Sequence, residues 1–192
     1  MQILDASYLD YIYKDRSPSY NSFGQVGLIN LPSAETYGEG GVFLTFNRNS
    51  IYKYGTLTVT PYDWLEASYF YYRPSDLFWD KGVIETKGQY LDKGFNVKLS
   101  HRFKNNFLPK VAIGLDDFAG SGFFEKEYIV FTKDIRNLRA SFGFGTGKFT
   151  GESSYRNPIS YFIESFETRN LRSKNITTVG QPSYDQWFRG PV

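Results

Sequence analysis

The sequence predicts an all-β protein, an antiparallel up-and-down meander of about seven to eight strands that forms a transmembrane β-barrel or part of a larger one. Three observations lead to this prediction: alternating strands, alternating loop lengths, and aromatic residues near the strand ends. The clearest strand spans residues 95–103, where odd positions are apolar or aromatic apart from His101, and even positions are Asn, Lys, Ser and Arg. Successive side chains of a strand point to opposite faces. One face of this strand therefore requires an apolar medium, and the other requires water.

The composition permits a membrane barrel and excludes several other classes of protein. The chain has 192 residues, enough for one domain, with 19% aromatic residues, no cysteine and a net charge of +2. No run approaches the roughly 20 apolar residues of a membrane-spanning helix, whereas the strands of a barrel are only half apolar. The basic residues are scattered, so we expect no nucleic-acid partner. Without cysteine, disulfides and thiolate metal sites are excluded.

The chain divides into an N-terminal segment and a barrel. We expect residues 1–40 to be irregular, with a helix near residues 3–13, and residues 41–192 to form the antiparallel barrel. The first six residues have neither the basic nor the apolar region of a signal peptide. The chain is therefore a mature form, a fragment, or a protein that is not exported. It ends Gly-Pro-Val rather than in a full strand, which indicates a barrel truncated at its C-terminus.

Seven strands are predicted, and their connections alternate in length. The predicted strands are 41–47, 54–60, 64–72, 95–103, 110–117, 127–133 and 138–148. Tight connections are expected at 61–63, 104–108 and 134–137, and longer ones at 48–53, 74–94, 118–126 and 149–185. Short turns on one side and long loops on the other are typical of outer-membrane barrels, whereas a Greek-key sandwich would not sort its loops in this way. An eighth strand is expected to begin near residues 186–189.

The positions of two groups of side chains on these strands predict where each group lies, one at the membrane interface and one in a lumen. Amphipathic aromatic rings favour membrane interfaces, which predicts an interfacial position for Tyr62, Trp64 and Tyr71; the alternative is an aromatic core of a soluble sheet. The wet face is expected to line a lumen that passes or holds a sugar chain, the alternative being charges paired for structural reasons. The predicted lumen residues are Glu66, Phe70, Tyr72, Lys98, Arg102 and Arg139.

A carboxylate cluster is the strongest candidate for chemistry, and we expect it to be structural. Asp116 and Asp117 end one strand near Glu125. Paired carboxylates can hydrolyse glycosides or bind Ca²⁺, but aspartates also accept backbone N–H bonds in turns such as residues 120–122. His101 is the sole histidine and is predicted to be interfacial. We therefore expect no catalytic residue, no cofactor and no metal site.

Six segments of the chain resemble a known family. They are GLINLPSA at 27–34, PYDWLEA at 61–67, DKGFNVK at 92–98, VAIGLDDF at 111–118, GSGFFEKEY at 120–128 and WFRGP at 187–191. In this order they are similar to the start of the YjbH-like (GfcD-like) exopolysaccharide biosynthesis proteins. The resemblance implies an outer-membrane β-barrel of Gram-negative bacteria, encoded with other exopolysaccharide assembly and export factors. Members of the family are much longer, so this chain corresponds to an N-terminal portion.

The functional prediction combines the pattern with the resemblance. We expect an outer-membrane β-barrel protein in exopolysaccharide (capsule or biofilm) biosynthesis and export, acting as a conduit or scaffold without catalysis. Its expected partners are the lipid bilayer, the exopolysaccharide and other envelope export proteins. The alternative is a secreted, soluble β-sandwich that binds carbohydrate. The weakest hypothesis is a glycoside hydrolase using Asp116, Asp117 or Glu125.

Overall fold

The computed structural model describes residues 18–75, 78–79, 88–89, 91–120, 124–136, 138–150, 154–169 and 184–192. The helix predicted near residues 3–13 lies outside this part of the chain. The strands are β1 (Gly27–Leu28), β2 (Leu31–Pro32), β3 (Gly41–Arg48), β4 (Tyr52–Tyr62), β5 (Leu65–Pro74), β6 (Phe78–Trp79), β7 (Gly88–Gln89), β8 (Asp92–His101), β9 (Lys110–Asp116), β10 (Lys126–Ile135) and β11 (Leu138–Gly147). Short 3-10 helices occupy Pro158–Tyr161, Glu164–Phe166 and Tyr184–Gln186.

Seven of these strands form one antiparallel sheet in the order β11-β10-β9-β8-β5-β4-β3. Each strand pairs with its neighbour along the chain, and the hairpin of β6 and β7 is inserted between β5 and β8. The predicted all-β meander is therefore confirmed. Among the described strands, β3 and β11 are the two edges of the sheet. The eighth strand expected near residues 186–189 is wrong, because a 3-10 helix and a turn occupy this region.

The lengths of the connections between strands agree only in part with the predicted alternation of short and long. The 63–64 turn is tight, as expected, and so is the connection between β10 and β11, because Ile135 pairs with Leu138; both lie at one end of the sheet together with the 102–109 connection. The connection between β3 and β4 is also tight, although a longer one was predicted. The reason is Asn49, whose side-chain oxygen accepts hydrogen bonds from the backbone N–H groups of Ile51 (2.9 Å) and Tyr52 (2.7 Å). Pairing then continues to the end of β3, at Arg48 and Lys53.

The two faces of the sheet have opposite chemistry. On the outward face, Leu44, Leu57, Tyr69 and Phe95 form one apolar row across four strands. The large apolar side chains exposed on this face are Val42, Leu44, Phe46, Leu57, Tyr69, Tyr71, Phe95, Leu99, Ile113, Phe131, Phe142 and Phe144. The inward face is buried, yet much of it is polar. Its buried polar side chains include Thr56, Thr58, Thr60, Glu66, Ser68, Asn96, Lys98, Asp116 and Thr132.

The inward face is buried because the N-terminal strap, residues 18–40, crosses it. The hairpin of β1 and β2 belongs to this strap. Ala34 of the strap packs with Ala112, Tyr128 and Val130 in a small apolar core. Gly114 of β9 leaves room for the Tyr128 ring of this core, because an added Cβ atom would lie 2.1 Å from that ring. None of the helices in the described part of the chain is long and apolar enough to cross a membrane.

Candidate functional site

The centre of the inward face is an ion pair between Glu66 of β5 and Lys98 of β8. The two residues are direct cross-strand neighbours. Glu66 Oε2 lies 3.1 Å from Lys98 Nζ, and both side chains are 1% exposed. Glu66 Oε1 also accepts a hydrogen bond from the Val26 backbone N–H (3.2 Å), and Lys98 Nζ donates to the Val26 carbonyl (3.2 Å). The pair thus binds both backbone polar groups of one strap residue.

A second set of charges continues this network toward β9 and β10. Gln25 of the strap donates from Nε2 to Asp116 Oδ1 (2.6 Å). Lys126 Nζ lies 3.2 Å from the other carboxylate oxygen of Asp116. The same ammonium stands 4.3 Å from the centre of the Phe23 ring, within cation–π distance. Each charged group here therefore has a partner close by, and two of the partners come from the strap.

Threonines of β4 bind the carbonyl groups of the strap. Thr56 Oγ1 donates to the Phe23 carbonyl (2.8 Å) and Thr58 Oγ1 donates to the Gly24 carbonyl (2.6 Å). Both threonines face inward because they alternate with Leu57, which is outward. β-branched threonine suits a strand, and its hydroxyl replaces water for a backbone that has left solvent. The inward-facing threonines of β4 therefore form a row of hydrogen-bond donors for the strap.

Glu35 fixes the distal part of the strap. Lys110 Nζ lies 2.6 Å from Glu35 Oε2, and Arg139 Nε lies 3.6 Å from Glu35 Oε1. The adjacent Ala34 donates its backbone N–H to Thr132 Oγ1 (2.8 Å) and accepts from Ser100 Oγ (2.5 Å). Side chains from β8, β9, β10 and β11 therefore converge on two consecutive strap residues.

An aromatic stack lies on the inward face near the opposite end of the strands. The Tyr54 and Phe70 rings are stacked with centres 5.4 Å apart, and Tyr72 meets Phe124 edge to face at 4.8 Å. Phe70 is buried and Tyr72 is half-buried. Aromatic faces beside polar groups are typical of sugar sites, but here the rings pack on one another.

The structure brings most of the predicted lumen residues to the inward side. Glu66 and Lys98 form the central pair, and Phe70 and Tyr72 form the aromatic stack. Arg139 lies at the β11 edge between Glu35 and Asp134, whose Oδ1 is 2.7 Å from Arg139 Nε. Arg102 is the exception: β8 ends at His101, so Arg102 lies in the following turn and is exposed rather than on the inward face.

The three carboxylates of the predicted charge cluster have separate partners. Asp116 binds Gln25 and Lys126, as described above. Asp117 accepts a hydrogen bond from the Phe124 backbone N–H (3.0 Å), which closes the loop between β9 and β10. Glu125 lies 2.9 Å from Arg169. Within the described residues, no group of three potential metal ligands occurs. Each carboxylate is thus held by its own partner, and the structural role of the cluster stays a prediction.

Arg169 was not predicted, and it holds the C-terminal segment, residues 154–169 and 184–192. Its guanidinium lies 2.6 Å from Glu127 Oε2 and 2.9 Å from Glu125 Oε2. Glu127 also accepts from the Phe188 backbone N–H (3.3 Å) and from Thr146 Oγ1 (2.5 Å). Contacts with these carboxylates raise the pKa of Arg169 despite its burial, so it remains charged. Nothing in the local pattern signals this site, because Arg169 lies more than 40 residues along the chain from both Glu125 and Glu127.

The predicted interfacial aromatics lie on the exposed surface near both ends of the strands. Tyr62 and Trp64 flank the tight 63–64 turn, and their rings stack with centres 5.4 Å apart and planes 2° from parallel. Tyr71 is exposed near the other end of β5. The three residues therefore lie where an interfacial role requires them, and that role stays a prediction.

The fold and the site together define a class: an antiparallel β-meander that is apolar outside, polar inside, and filled by its own N-terminal strap. The family model described as "Exopolysaccharide biosynthesis protein YbjH" (YjbH) matches residues 19–192, and the chain belongs to this family. The resemblance seen in the sequence is thereby confirmed. The matched region begins with the strap, so the strap is part of the family's common sequence.

A curated relative supports the same assignment. The "Uncharacterized lipoprotein YjbH" of Escherichia coli (strain K12) is 30% identical over 176 residues, which is 91% of this chain and 25% of the relative. The chain therefore spans about a quarter of the length of the curated relative it matches. No solved structure matches the chain significantly.

Proposed function

We propose that this chain forms part of the wall of an outer-membrane β-barrel that acts in exopolysaccharide biosynthesis and export as a scaffold or conduit, without catalysis. The observation that carries this proposal is the inverted polarity of the sheet. Its buried face holds an ion pair and hydroxyl groups, whereas its exposed face is a continuous apolar surface. In a soluble protein the polarity of the two faces is normally reversed, and membrane barrels have a polar interior and an apolar exterior.

The dimensions of the strands support a membrane location. Strands of about 9–11 residues cross the hydrocarbon layer when tilted. β4 has 11 residues, and β5, β8, β10 and β11 have 10 each. The exposed aromatic pair of Tyr62 and Trp64 lies at the end of its strands, where amphipathic rings meet the lipid headgroups.

The open edges of the sheet imply that more strands take part. The seven described strands alternate in direction, so the edge strands β3 and β11 run the same way. An antiparallel barrel closes only with an even number of strands, and unpaired edges are prohibitive in lipid. The curated relative is about four times as long as the matched region, which leaves ample chain to supply the additional strands.

The inward face supports a structural role for this part of the barrel. The strap occupies the polar surface along which a sugar chain would pass, so the described part acts as a scaffold while the strap is in place. The carboxylates that a hydrolase would need are bound to Gln25, Lys126, Phe124 and Arg169. Release of reducing ends from an exopolysaccharide, abolished by Asp117→Asn, would contradict the non-catalytic role.

The relatives support a location in the cell envelope. The curated relative is named a lipoprotein and comes from a Gram-negative bacterium, and exopolysaccharide assembly takes place across the envelope. We therefore propose the outer membrane as the location, with the bilayer, the exopolysaccharide and other envelope export proteins as partners.

The decisive experiment measures insertion into lipid. The full-length protein, which contains this chain together with the additional strands proposed above, is refolded with lauryldimethylamine oxide or lipid vesicles, and its migration on a gel is compared before and after heating. We expect heat-modifiable migration. Leu57→Arg, in the middle of β4 on the outward face, should prevent insertion, because arginine at the bilayer midplane costs about 2–4 kcal/mol. Phe107→Arg is the matched control, since Phe107 is 86% exposed in the 102–109 turn and should tolerate the charge.

One observation favours a second candidate, a soluble β-sandwich that binds carbohydrate. An apolar sheet face can also be covered by a second sheet, and a longer polypeptide could supply one. The same experiment separates the two candidates. A chain that stays folded and monomeric in buffer without detergent or lipid supports the sandwich and rules out the barrel.

A further inference from the structure

The C-terminal segment is attached to the outward face of the sheet. Its anchor Glu127 lies directly opposite Thr146 of β11 and Leu115 of β9, and Leu115 lies opposite Val97 of β8. Directly opposite residues of antiparallel strands share one face. Val97 precedes the inward-facing Lys98 in β8, so this whole row points outward. The segment therefore covers outward-facing side chains near the start of β10 and the end of β11.

Two contacts with Glu127 hold the segment at this position. The Arg169 guanidinium lies 2.6 Å from Glu127 Oε2, and the same oxygen accepts a hydrogen bond from the Phe188 backbone N–H (3.3 Å). The next outward residue of β11 after Thr146, toward the middle of the strand, is Phe144, and its side chain is exposed. The attachment site therefore borders the exposed apolar surface of the sheet.

The C-terminal segment has the same inverted polarity as the sheet. The buried side chains of its described residues are polar: Asn157, Ser160 and Gln186. Asn157 Nδ2 donates to the carbonyl groups of Phe188 (2.7 Å) and Gly190 (2.9 Å), which joins the two parts of the segment. The large apolar side chains are exposed instead, and they are Tyr155, Ile159, Tyr161, Phe162, Ile163 and Tyr184. Exposure of so much apolar surface is unfavourable in water, so this arrangement is stabilised by an apolar medium around the segment.

The types of residue on this surface indicate the boundary of a bilayer rather than its interior. Half of the exposed large side chains are tyrosines, whose rings favour the headgroup level. Arg156 Cζ lies 4.8 Å from the centre of the Tyr161 ring, and the Arg156 guanidinium lies 3.2 Å from Glu167. A half-exposed ion pair of this kind is costly in hydrocarbon, whereas interfacial segments combine apolar side chains with charged groups that stay in water.

We propose that the exposed aromatic surface of the C-terminal segment inserts into the lipid headgroup layer, on the outer side of the barrel wall. The occupant is lipid because the surface borders the outward face of the sheet, which the proposed function assigns to lipid. The inference rests on that proposed function and names the part of the protein that contacts the headgroups. The other occupant would be a later part of the longer polypeptide, and photocross-linking distinguishes the two.

The full-length protein carries p-benzoylphenylalanine in place of one residue and is refolded in vesicles of phosphatidylethanolamine and phosphatidylglycerol. After irradiation, mass spectrometry identifies the adducts. Phe162 is the test position, because it is 90% exposed and tolerates a larger ring. We expect lipid adducts whose new bond lies on the glycerol or the upper acyl carbons. Tyr37 is the matched control, since it is an exposed aromatic residue whose ring packs on the inward-facing Phe43 with centres 4.3 Å apart. It should form no lipid adduct.

A third position, Phe144 on the outward face of β11, separates failure of this inference from failure of the proposed function. Lipid adducts at position 144 but not at position 162 overturn the headgroup contact alone. The contact is also overturned if position 162 cross-links to another part of the polypeptide, if its bond lies at the acyl chain ends, or if position 37 forms as many lipid adducts. Absence of lipid adducts at both 144 and 162 overturns the barrel together with the contact.

Discussion

Glu66 and Lys98 form a buried ion pair whose two members bind the same residue of the N-terminal strap. The carboxylate and the ammonium are 3.1 Å apart, and they bind the N–H and the C=O of Val26, respectively. Two side chains from adjacent strands thus provide the hydrogen bonds that a neighbouring strand would otherwise make. This relationship explains why a charged pair is retained at the centre of the inward face.

Removing one member of this pair should destabilise the protein much more than neutralising both members. Lys98→Met leaves the Glu66 carboxylate buried without its cation, and we expect it to lower the free energy of unfolding by about 3–5 kcal/mol. The double variant Glu66→Gln/Lys98→Met leaves no uncompensated charge and should be less destabilised than Lys98→Met. Urea unfolding in lipid vesicles measures both. Equal losses for the single and the double variant would contradict the assignment of a coupled pair.

The close approach of the strap to β4 depends on Gly24. Its φ is +77°, and an added Cβ would lie 2.3 Å from Thr45 Oγ1 and 2.6 Å from Thr56 Cβ. Gly24→Ala should therefore displace the strap and accelerate hydrogen exchange at the Val26 amide. Gly38→Ala is the control: Gly38 also has a positive φ (+100°), but an added Cβ meets nothing within 4 Å. If both variants exchange equally fast, backbone conformation alone would account for the effect.

The C-terminal segment should detach when Arg169 is replaced. Arg169→Met leaves the buried Glu127 without its cation, and we expect a loss of about 3–5 kcal/mol in the free energy of unfolding. Limited proteolysis should then cut within residues 154–169. Arg156→Met provides the comparison, because the Arg156–Glu167 pair is about half exposed on both sides and exposed pairs contribute about 0–1 kcal/mol. An Arg169→Met variant as protease-resistant as Arg156→Met would refute the anchoring role.

Alkaline pH should weaken the strap through Tyr20. Burial, and then the nearby Glu66 carboxylate, raise the pKa of the Tyr20 phenol above its ordinary value. In the unfolded chain the phenol loses its proton near pH 10, whereas in the folded chain it does so at higher pH. Between these values the unfolded state binds fewer protons, so stability falls as pH rises above about 10.

Tyr20→Phe removes this dependence and provides its own control at neutral pH. The variant should unfold at the same urea concentration as the parent chain at pH 7, because the deleted hydroxyl has no partner among the described residues. At pH 11 the variant should be the more stable of the two. A difference that is the same at pH 7 and pH 11 would exclude ionisation of Tyr20 as the cause.

Local patterns in the sequence determined the fold class and the positions of the strands. Side chains of consecutive residues alternate between faces, so the pattern of residues 95–103 contains the information for β8 without reference to the rest of the chain. The apolar rows on the outward face follow from the same alternation, because sequential strands of a meander pair with one another and bring their outward residues side by side. The same alternation placed Glu66 and Lys98 on one face, where the structure pairs them.

Only the tertiary structure decided what covers that face. Residues 18–40 have no periodic pattern, and the contacts of the strap join residues that are distant in the sequence, such as Thr58 with Gly24, 34 positions apart, and Thr132 with Ala34, 98 positions apart. The partners of Gln25, Glu35 and Arg169 follow from how the sheet and its loops are arranged in space. Alternation between neighbouring residues is a local property of the backbone, whereas these pairings exist only after distant strands have assembled.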